Sequence, residues 1–331
     1  MRSTTLASIF LLILLAFVFV QIRQYSPEKI PLPIPLPIPF PPTQSVKFGG
    51  WIQSVSYNNI WQATKETVDV ELKTLDDLGV QIYSIHPNYD VFLRNDVDKI
   101  ALLDYVFEQA KAKGKLVQIS GAGAESWRAN KITPSEFRRF YLERAEIYTK
   151  RWQPWAFEIL QEPNGWMDFT NPKMTPKQWA DLSAEVSAVI KKSNPSTVTL
   201  NAFIVSTDMN LWRDEVETMK LTLKDSNLDA VGFDIYGNAG QDDKTPLIEP
   251  YIPVIKQAGK KLWIPETWGR GGPMIKATGE NAAADIAFAK HIVEWADKNE
   301  VEGLIWFFTM LFGSPENYTE TFYGIKGVIS G

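Results

Sequence analysis

Two kinds of segment alternate along the chain from Val46 onward. Short runs rich in β-branched and aromatic residues recur eight times, and the longer segments between them carry apolar residues three and four positions apart. The short runs predict buried strands, and the longer segments predict amphipathic helices. The eight strand candidates are VKFGGWI, VQIYSIH, KLVQISG, WAFEILQ, TVTLNAFIV, DAVGFDIYG, KLWIPETWG and EGLIWFFTM.

Glycine and proline indicate where the predicted helices begin and end. A glycine after the last apolar position is typical of a helix end, and Thr-Pro is typical of a helix start. The predicted ends are Gly79, Gly114 and Gly259, and the predicted starts are Thr133-Pro134 and Thr175-Pro176.

Strands that are apolar along nearly their whole length, separated by helices, favour a parallel sheet covered by helices. Eight such units close most economically into a (β/α)8 TIM barrel, an α/β fold that typically takes about 250 residues. We predict this barrel over residues 46–331, with a last helix that is short or missing. The rival is a doubly wound open sheet, but no glycine-rich phosphate loop follows the first strand.

The first 45 residues have a different composition. Residues 1–5 precede a nearly continuous apolar run over 6–22, which is either a signal-peptide core or a short membrane span. No small-x-small cleavage site follows the run, which favours an uncleaved anchor. Residues 23–45 carry proline at alternate positions from Pro31, which favours an extended polyproline II linker rising about 3.1 Å per residue. We expect a monomeric domain outside the cell, either anchored to the membrane through this segment alone or secreted.

Composition excludes several classes of function. A net charge of −5 gives no electrostatic footprint for nucleic acid. The chain has no cysteine and two histidines, His86 and His291, so thiolate chemistry is excluded and a histidine-based zinc site or catalytic triad is disfavoured. We expect neither a metal nor a cofactor. The 12 Trp, 11 Tyr and 18 Phe are more than a core usually needs and favour a sugar ligand.

Two glutamates stand where the chemistry of a TIM barrel is found, at the carboxyl ends of strands. Glu162 ends the fourth predicted strand, and Glu266 lies at the end of the seventh. Two carboxyl groups about 5 to 5.5 Å apart suit retaining glycoside hydrolysis, in which one is protonated and the other is ionised. We therefore predict that Glu162 and Glu266 form a catalytic pair, whereas Glu158 points into the barrel as a structural acid.

The stretch FEILQEP resembles the fourth-strand motif of family 5 and its relatives in clan A of the glycoside hydrolases, aromatic-Glu-Ile-x-Asn-Glu-Pro. The resemblance implies that Glu162 is the acid/base and Glu266 the nucleophile. It also implies that Tyr236, in GFDIYG, hydrogen-bonds the nucleophile. Trp306, in LIWFF, matches the strand-eight tryptophan that floors the sugar subsite.

Three positions depart from the family pattern. Gln161 stands where an asparagine contacts the 2-hydroxyl of the sugar, Asp234 where a histidine is common, and His86 where an arginine ends strand two. These changes leave the identity of the sugar open. The expected substrate contacts are Gln161, Tyr236, Trp306, His86, Trp268 and Trp51, and the other aromatic candidates near strand ends are Trp61, Trp127 and Trp166.

The sequence thus predicts a retaining glycoside hydrolase that cleaves a β-linked polysaccharide or oligosaccharide, endo-acting and of glucan or mannan type. Two alternatives stay open. A decayed barrel would bind glycans without cleaving them, although the presence of both carboxylates argues against it. A transglycosylase would use the same covalent intermediate and differ only in whether water or a sugar arrives.

Overall fold

Eight parallel strands pair in chain order and close into a barrel, since β1 pairs with both β2 and β8. The strands are β1 (Lys47–Trp51), β2 (Ile82–Ile85), β3 (Leu116–Ser120), β4 (Ala156–Gln161), β5 (Val198–Ile204), β6 (Ala230–Gly237), β7 (Lys261–Gly269) and β8 (Val301–Trp306). The predicted TIM barrel is confirmed, and an open sheet is excluded.

This computed structural model describes residues 46–121, 132–165, 172–237, 243–269, 280–307 and 309–331. The predicted anchor and linker lie outside the described residues, as do Trp127 and Trp166. None of the helices within these ranges is long and apolar enough to cross a membrane.

Helices separate the strands along the chain. They are α1 (Lys65–Leu78), α2 (Asp90–Leu93), α3 (Val97–Ala112), α4 (Pro134–Trp152), α5 (Pro176–Ser193), α6 (Met209–Thr222), α7 (Thr245–Ile248), α8 (Ile252–Gln257), α9 (Glu280–Lys298) and α10 (Glu320–Ser330). Short 3₁₀ turns cover Tyr57–Trp61, Glu249–Tyr251 and Thr309–Phe312, and a small antiparallel pair, β9 (Gly313–Ser314) and β10 (Asn317–Tyr318), precedes α10. The last helix is short, as expected.

The predicted helix boundaries are confirmed by their caps. Thr133 and Thr175 are the N-caps of α4 and α5, and each accepts a hydrogen bond from the backbone N–H three residues on, with proline at the first helical position. Gly79 ends α1 with φ of 92°, a left-handed conformation that glycine adopts without strain.

Alternate residues of each strand face the barrel axis and the surrounding helices. Near the amino ends of the strands, Ala156, Leu200, Ala230 and Trp263 pack together inside the barrel. A Cβ on Gly303 of β8 would lie 2.8 Å from the Trp263 ring, so Gly303 also faces the axis. By alternation, Ile305 and Phe307 face the axis too, whereas Leu304 and Trp306 face the helices.

The strand pairing is irregular next to the carboxyl ends of β4 and β7. The register between β4 and β5 shifts between Glu158 and Leu160, and the register between β7 and β8 shifts between Ile264 and Thr267. Such irregularities re-aim side chains at the rim of a barrel. They lie directly before Glu162 and around Glu266, the two residues that carry the predicted chemistry.

Candidate active site

Glu162 and Glu266 meet at the carboxyl end of the barrel. Their side chains are 4% and 3% exposed, and one carboxylate oxygen of each lies within 4.8 Å of the other. A third carboxylate, that of Asp234 on β6, lies within the same 4.8 Å of both. The structure therefore brings the predicted pair together at a separation near that of retaining glycosidases, about 5 to 5.5 Å.

The backbone at Glu162 has an unusual conformation. Its φ is 45°, in the left-handed region that few non-glycine residues occupy. The Glu162 N–H donates to the Ala202 carbonyl at 3.0 Å, and the Gly165 N–H donates back to the Glu162 carbonyl at 3.0 Å. Glu162 therefore opens a tight turn immediately after β4, and this turn directs its side chain over the barrel mouth.

Helix α6 holds that turn from outside. The Asn164 N–H donates to Glu215 Oε1 at 2.8 Å, and Asn164 Nδ2 donates to Thr218 Oγ1 at 3.1 Å. Glu215 and Thr218 are both fully buried on α6. Burial raises the pKa of Glu215 well above its usual value, more than its hydrogen bond from Asn164 lowers it. The turn and the helix are thus joined by two buried polar contacts.

Glu266 accepts hydrogen bonds on both carboxylate oxygens. The Tyr236 hydroxyl donates to Oε2, and Gln161 Nε2 donates to Oε1 at 2.5 Å. Burial and repulsion from Glu162 and Glu158 raise the pKa of Glu266, and the two hydrogen bonds offset only part of that rise. Gln161, for which we predicted a sugar contact, therefore also contacts the nucleophile candidate.

Tyr57 and His86 extend the hydrogen-bonded network around Glu266. The Tyr57 hydroxyl lies 2.5 Å from His86 Nδ1 and 3.1 Å from Gln161 Nε2. Burial lowers the pKa of His86 to about 3, so its imidazole is neutral. The Tyr57 hydroxyl therefore hydrogen-bonds the neutral ring at Nδ1, and His86 Nε2 lies 3.6 Å from Glu266 Oε1.

Tyr57 was not among the residues predicted from sequence. It lies in the 3₁₀ turn after β1, with a left-handed φ of 49°, and belongs to no periodic pattern. The one available signal is its position, since residues soon after a barrel strand lie on the catalytic face.

An aromatic wall stands beside the carboxylates. Trp51 and Phe307 stack with ring centroids 4.3 Å apart and planes 13° apart. The Phe307 ring also lies 5.6 Å from that of His86 and 6.3 Å from that of Tyr236. Trp51 is buried and Phe307 is half-buried, so Phe307 is the more open of the two stacked rings. The structure thus puts the predicted Trp51 at the site and adds Phe307.

The predicted substrate contacts of Trp268 and Trp306 need correction. Both indoles are 1% exposed, and they pack edge to face at 6.4 Å, with Phe312 5.5 Å from Trp268. Phe312 in turn packs on Phe322 of α10, so this cluster lies on the helix side of the sheet. Because neighbouring residues of an extended chain face opposite sides, the aromatic that faces the axis at the end of β8 is Phe307, directly after the strand, rather than Trp306.

Trp61, another aromatic candidate, lies in the same 3₁₀ turn as Tyr57, where the Arg94 guanidinium stands 4.6 Å from its ring centroid.

Glu158 lies inside the barrel as predicted, fully buried and accepting a hydrogen bond from Gln118 Nε2 at 3.2 Å. Burial raises its pKa to about 8.

Asp234 is fully buried, and neither of its carboxylate oxygens has a hydrogen-bond partner among the described residues. Burial, followed by repulsion from Glu266 and Glu162, raises its pKa well above the usual value. Among the described residues, Glu162, Asp234 and Glu266 are the acidic side chains grouped closely enough to share a metal ion.

Several solved structures with a similar fold are glycoside hydrolases. An exo-β-1,4-mannosidase from Opitutaceae bacterium strain TAV5 matches with a TM-score of 0.64 and 14% identity, over 86% of this chain and 59% of that one. The chain has the barrel of these enzymes. GH5_18 from Streptomyces cattleya, solved with GlcNAc, matches with a TM-score of 0.59 and 15% identity, over 87% of this chain and 80% of that one.

Cel5A from Thermotoga maritima, solved as a mutant form with cellobiose, matches with a TM-score of 0.58 and 15% identity, over 85% of this chain and 97% of that one. No family model and no curated protein matches the sequence. The resemblance read from the fourth-strand motif is thus confirmed at the level of the fold.

Proposed function

We propose that this protein is a retaining glycoside hydrolase that cleaves β-linked glycans, with Glu266 as nucleophile and Glu162 as acid/base. The observation that carries the proposal is the approach of their carboxylate oxygens to within 4.8 Å at the catalytic end of a TIM barrel. Glu266 is the nucleophile because it accepts the hydrogen bonds of Tyr236 and Gln161, which favour its ionised form.

The reaction has two steps. In the first, a Glu266 oxygen attacks the anomeric carbon while Glu162 gives its proton to the departing glycosidic oxygen, and a covalent glycosyl-enzyme forms. In the second, Glu162 takes a proton from water, the water oxygen attacks the anomeric carbon, and the bond to Glu266 breaks. Each step returns one carboxyl group to the state that the other step needs.

The substrate proposed is a β-linked glucan or mannan, cleaved within the chain. An exo-β-1,4-mannosidase, a β-glucanase from Saccharophagus degradans and an enzyme solved with cellobiose share the fold, which supports this class of substrate. The half-buried Phe307 ring, backed by Trp51, offers the apolar surface that one face of a sugar ring requires.

We further propose that the apolar run 6–22 anchors the protein in a membrane and that the proline-rich linker 23–45 holds the barrel outside the cell. Cell fractionation of the full-length protein, followed by protease treatment of intact cells, tests this arrangement. A barrel found inside the cell would refute it.

The decisive experiment compares Glu266→Gln with Glu162→Gln on a polysaccharide and on an aryl β-glycoside. Glu266→Gln should abolish turnover of both substrates. Glu162→Gln should abolish cleavage of the polysaccharide but still release the aryl group, because an acidic leaving group departs without protonation. Glu294→Gln, on an exposed face of α9, is the matched control and should behave as wild type.

Full activity of Glu266→Gln would refute the assignment of the nucleophile. Proton NMR of the first product distinguishes the anomers, and retention of the β configuration is expected. Glycan binding by the wild type without any cleavage would favour a decayed barrel. Products longer than the substrate would favour transglycosylation.

A further inference from the structure

Asp234 is a third acid at the candidate active site, and the two-glutamate reaction gives it no role. It lies on β6, and one of its carboxylate oxygens stands within 4.8 Å of those of Glu162 and Glu266. The side chain is completely buried, and within the part of the chain that the structure describes neither of its oxygens has a hydrogen-bond partner. A carboxylate that is charged, buried and unsolvated is among the most unfavourable arrangements a protein can hold.

The groups that face Asp234 make a charge there still less favourable. They are the carboxyl groups of Glu266 on β7, of Glu162 and Glu158 on β4 and of Glu215 on α6. No lysine or arginine in the described part of the chain forms an ion pair with Asp234. Every charged neighbour that acts on Asp234 therefore favours its neutral form.

We propose that Asp234 keeps its proton throughout the reaction and acts as a neutral positioning residue, so that the three acids carry a single negative charge. The inference rests on the proposed function. In the free enzyme that charge is on Glu266, while Glu162 and Asp234 are protonated. In the glycosyl-enzyme Glu266 is esterified and Glu162 has given up its proton, so the charge is on Glu162.

The proton balance gives Asp234 a definite role. One negative charge passes from Glu266 to Glu162 in the first step and returns in the second, and the proton on Asp234 is the same in both states. If Asp234 were ionised, it would repel the charge in either position and would favour protonation of Glu266. A neutral Asp234 leaves the nucleophile free to ionise.

The direct test follows the carboxyl groups of aspartate by carbon-13 NMR, in protein labelled at that carbon only. Substrate-free enzyme at neutral pH should give one protonated aspartate signal, and this signal should be missing from Asp234→Asn. Burial and the neighbouring carboxylates raise the pKa of Asp234, whereas hydrogen bonds lower the pKa of other aspartates, such as Asp69 and Asp104. Ionised signals from all aspartates would overturn the proposal.

A second measurement uses stability and needs no turnover. Because folded Asp234 holds a proton that the unfolded chain releases above pH 3.8, the wild type should lose stability as the pH rises past that value. Asp234→Asn lacks this proton, so its melting temperature should fall less steeply over the same pH range. Equal slopes for the two proteins would overturn the proposal.

Both readouts are separate from the test of glycoside hydrolysis. A protonated aspartate in an enzyme that cleaves no glycan would sink the proposed function alone. An ionised aspartate in an active glycosidase would sink the inference alone. If Asp234→Asn does not fold, the pH titration of the labelled wild type still decides the outcome, because the protonated signal is present or absent without any variant.

Discussion

Tyr236→Phe tests how the site would keep Glu266, the proposed nucleophile, ionised. Glu266 accepts one hydrogen bond from the Tyr236 hydroxyl and one from Gln161, and both act against the rise in pKa that burial and the neighbouring acids cause. A hydrogen bond to a charged group contributes about 1.5–3 kcal/mol, which corresponds to about 1–2 pKa units. Loss of the Tyr236 hydroxyl should therefore raise the pKa of Glu266 by that amount.

The sign follows from the state in which Glu266 reacts. In the proposed mechanism the ionised form attacks, so activity should be lost as the pH falls through the pKa of Glu266. A higher pKa should then move the acid limb of the pH profile to higher pH. We expect kcat/KM of Tyr236→Phe to show an acid limb about 1–2 pH units above that of the wild type. The wild-type limb should itself lie above 4.5, the ordinary value for glutamate, because the pKa of Glu266 is raised.

The assay is a pH series of initial rates on an aryl β-glycoside, with structure checked by circular dichroism at each end of the range. Tyr323→Phe is the matched control, since that ring is 61% exposed on α10, and its profile should overlie that of the wild type. An acid limb of Tyr236→Phe at the wild-type position, or below it, would refute the reasoning.

Four further substitutions test other features of the fold and the site. Glu215→Ala leaves the buried Asn164 N–H without its acceptor. Urea titration should therefore show a loss of about 1–3 kcal/mol in unfolding free energy, and kcat should fall. No change in either quantity would contradict a structural role for the contact between Glu215 and the turn. Burial raises the pKa of Glu158 to about 8, so the folded wild type binds a proton that the unfolded chain releases above pH 4.5, and its stability falls as the pH rises between these values. Glu158→Gln should flatten that fall in melting experiments, and an unchanged slope would count against a buried neutral acid. Gly49→Ala puts a methyl group 2.3 Å from an isoleucine of β8 and should lower the unfolding free energy by about 1–3 kcal/mol. Gly327→Ala in α10 adds a methyl group that meets no atom within 4 Å and should raise the unfolding free energy by about 0.5–1 kcal/mol. Shifts of the same sign in the two melting temperatures would refute the comparison.

The fold could be predicted from sequence because its signals are local. A Thr-Pro pair caps a helix and a glycine ends one through contacts within a few residues. The proximity of Glu162 and Glu266 could be predicted because a barrel brings the carboxyl ends of its strands together, so the prediction needed only the strand order to be correct. Neither inference required knowledge of a distance.

Side-chain direction and non-local contacts could not be predicted in the same way. Trp306 ends β8 and Phe307 follows it directly, and a shift of one residue decides which ring faces the axis. Tyr57 contacts His86 and Gln161 from a turn without regular pattern, so its place depends on a backbone that sequence does not specify. Asp234 was recognised as a departure from the family pattern, but its lack of hydrogen-bond partners among the described residues depends on packing that the sequence does not specify.

Because Glu162 has a left-handed backbone conformation, thermal stability and the proposed catalysis favour different residues at that position. A non-glycine residue held in this conformation costs on the order of 1–3 kcal/mol, whereas glycine and asparagine adopt it more readily. Directed evolution for heat resistance alone should therefore replace Glu162 with one of these two residues. A screen that also selects for enzymatic activity should retain glutamate. The residue found at position 162 would therefore show whether a library had been selected for stability alone or for activity as well.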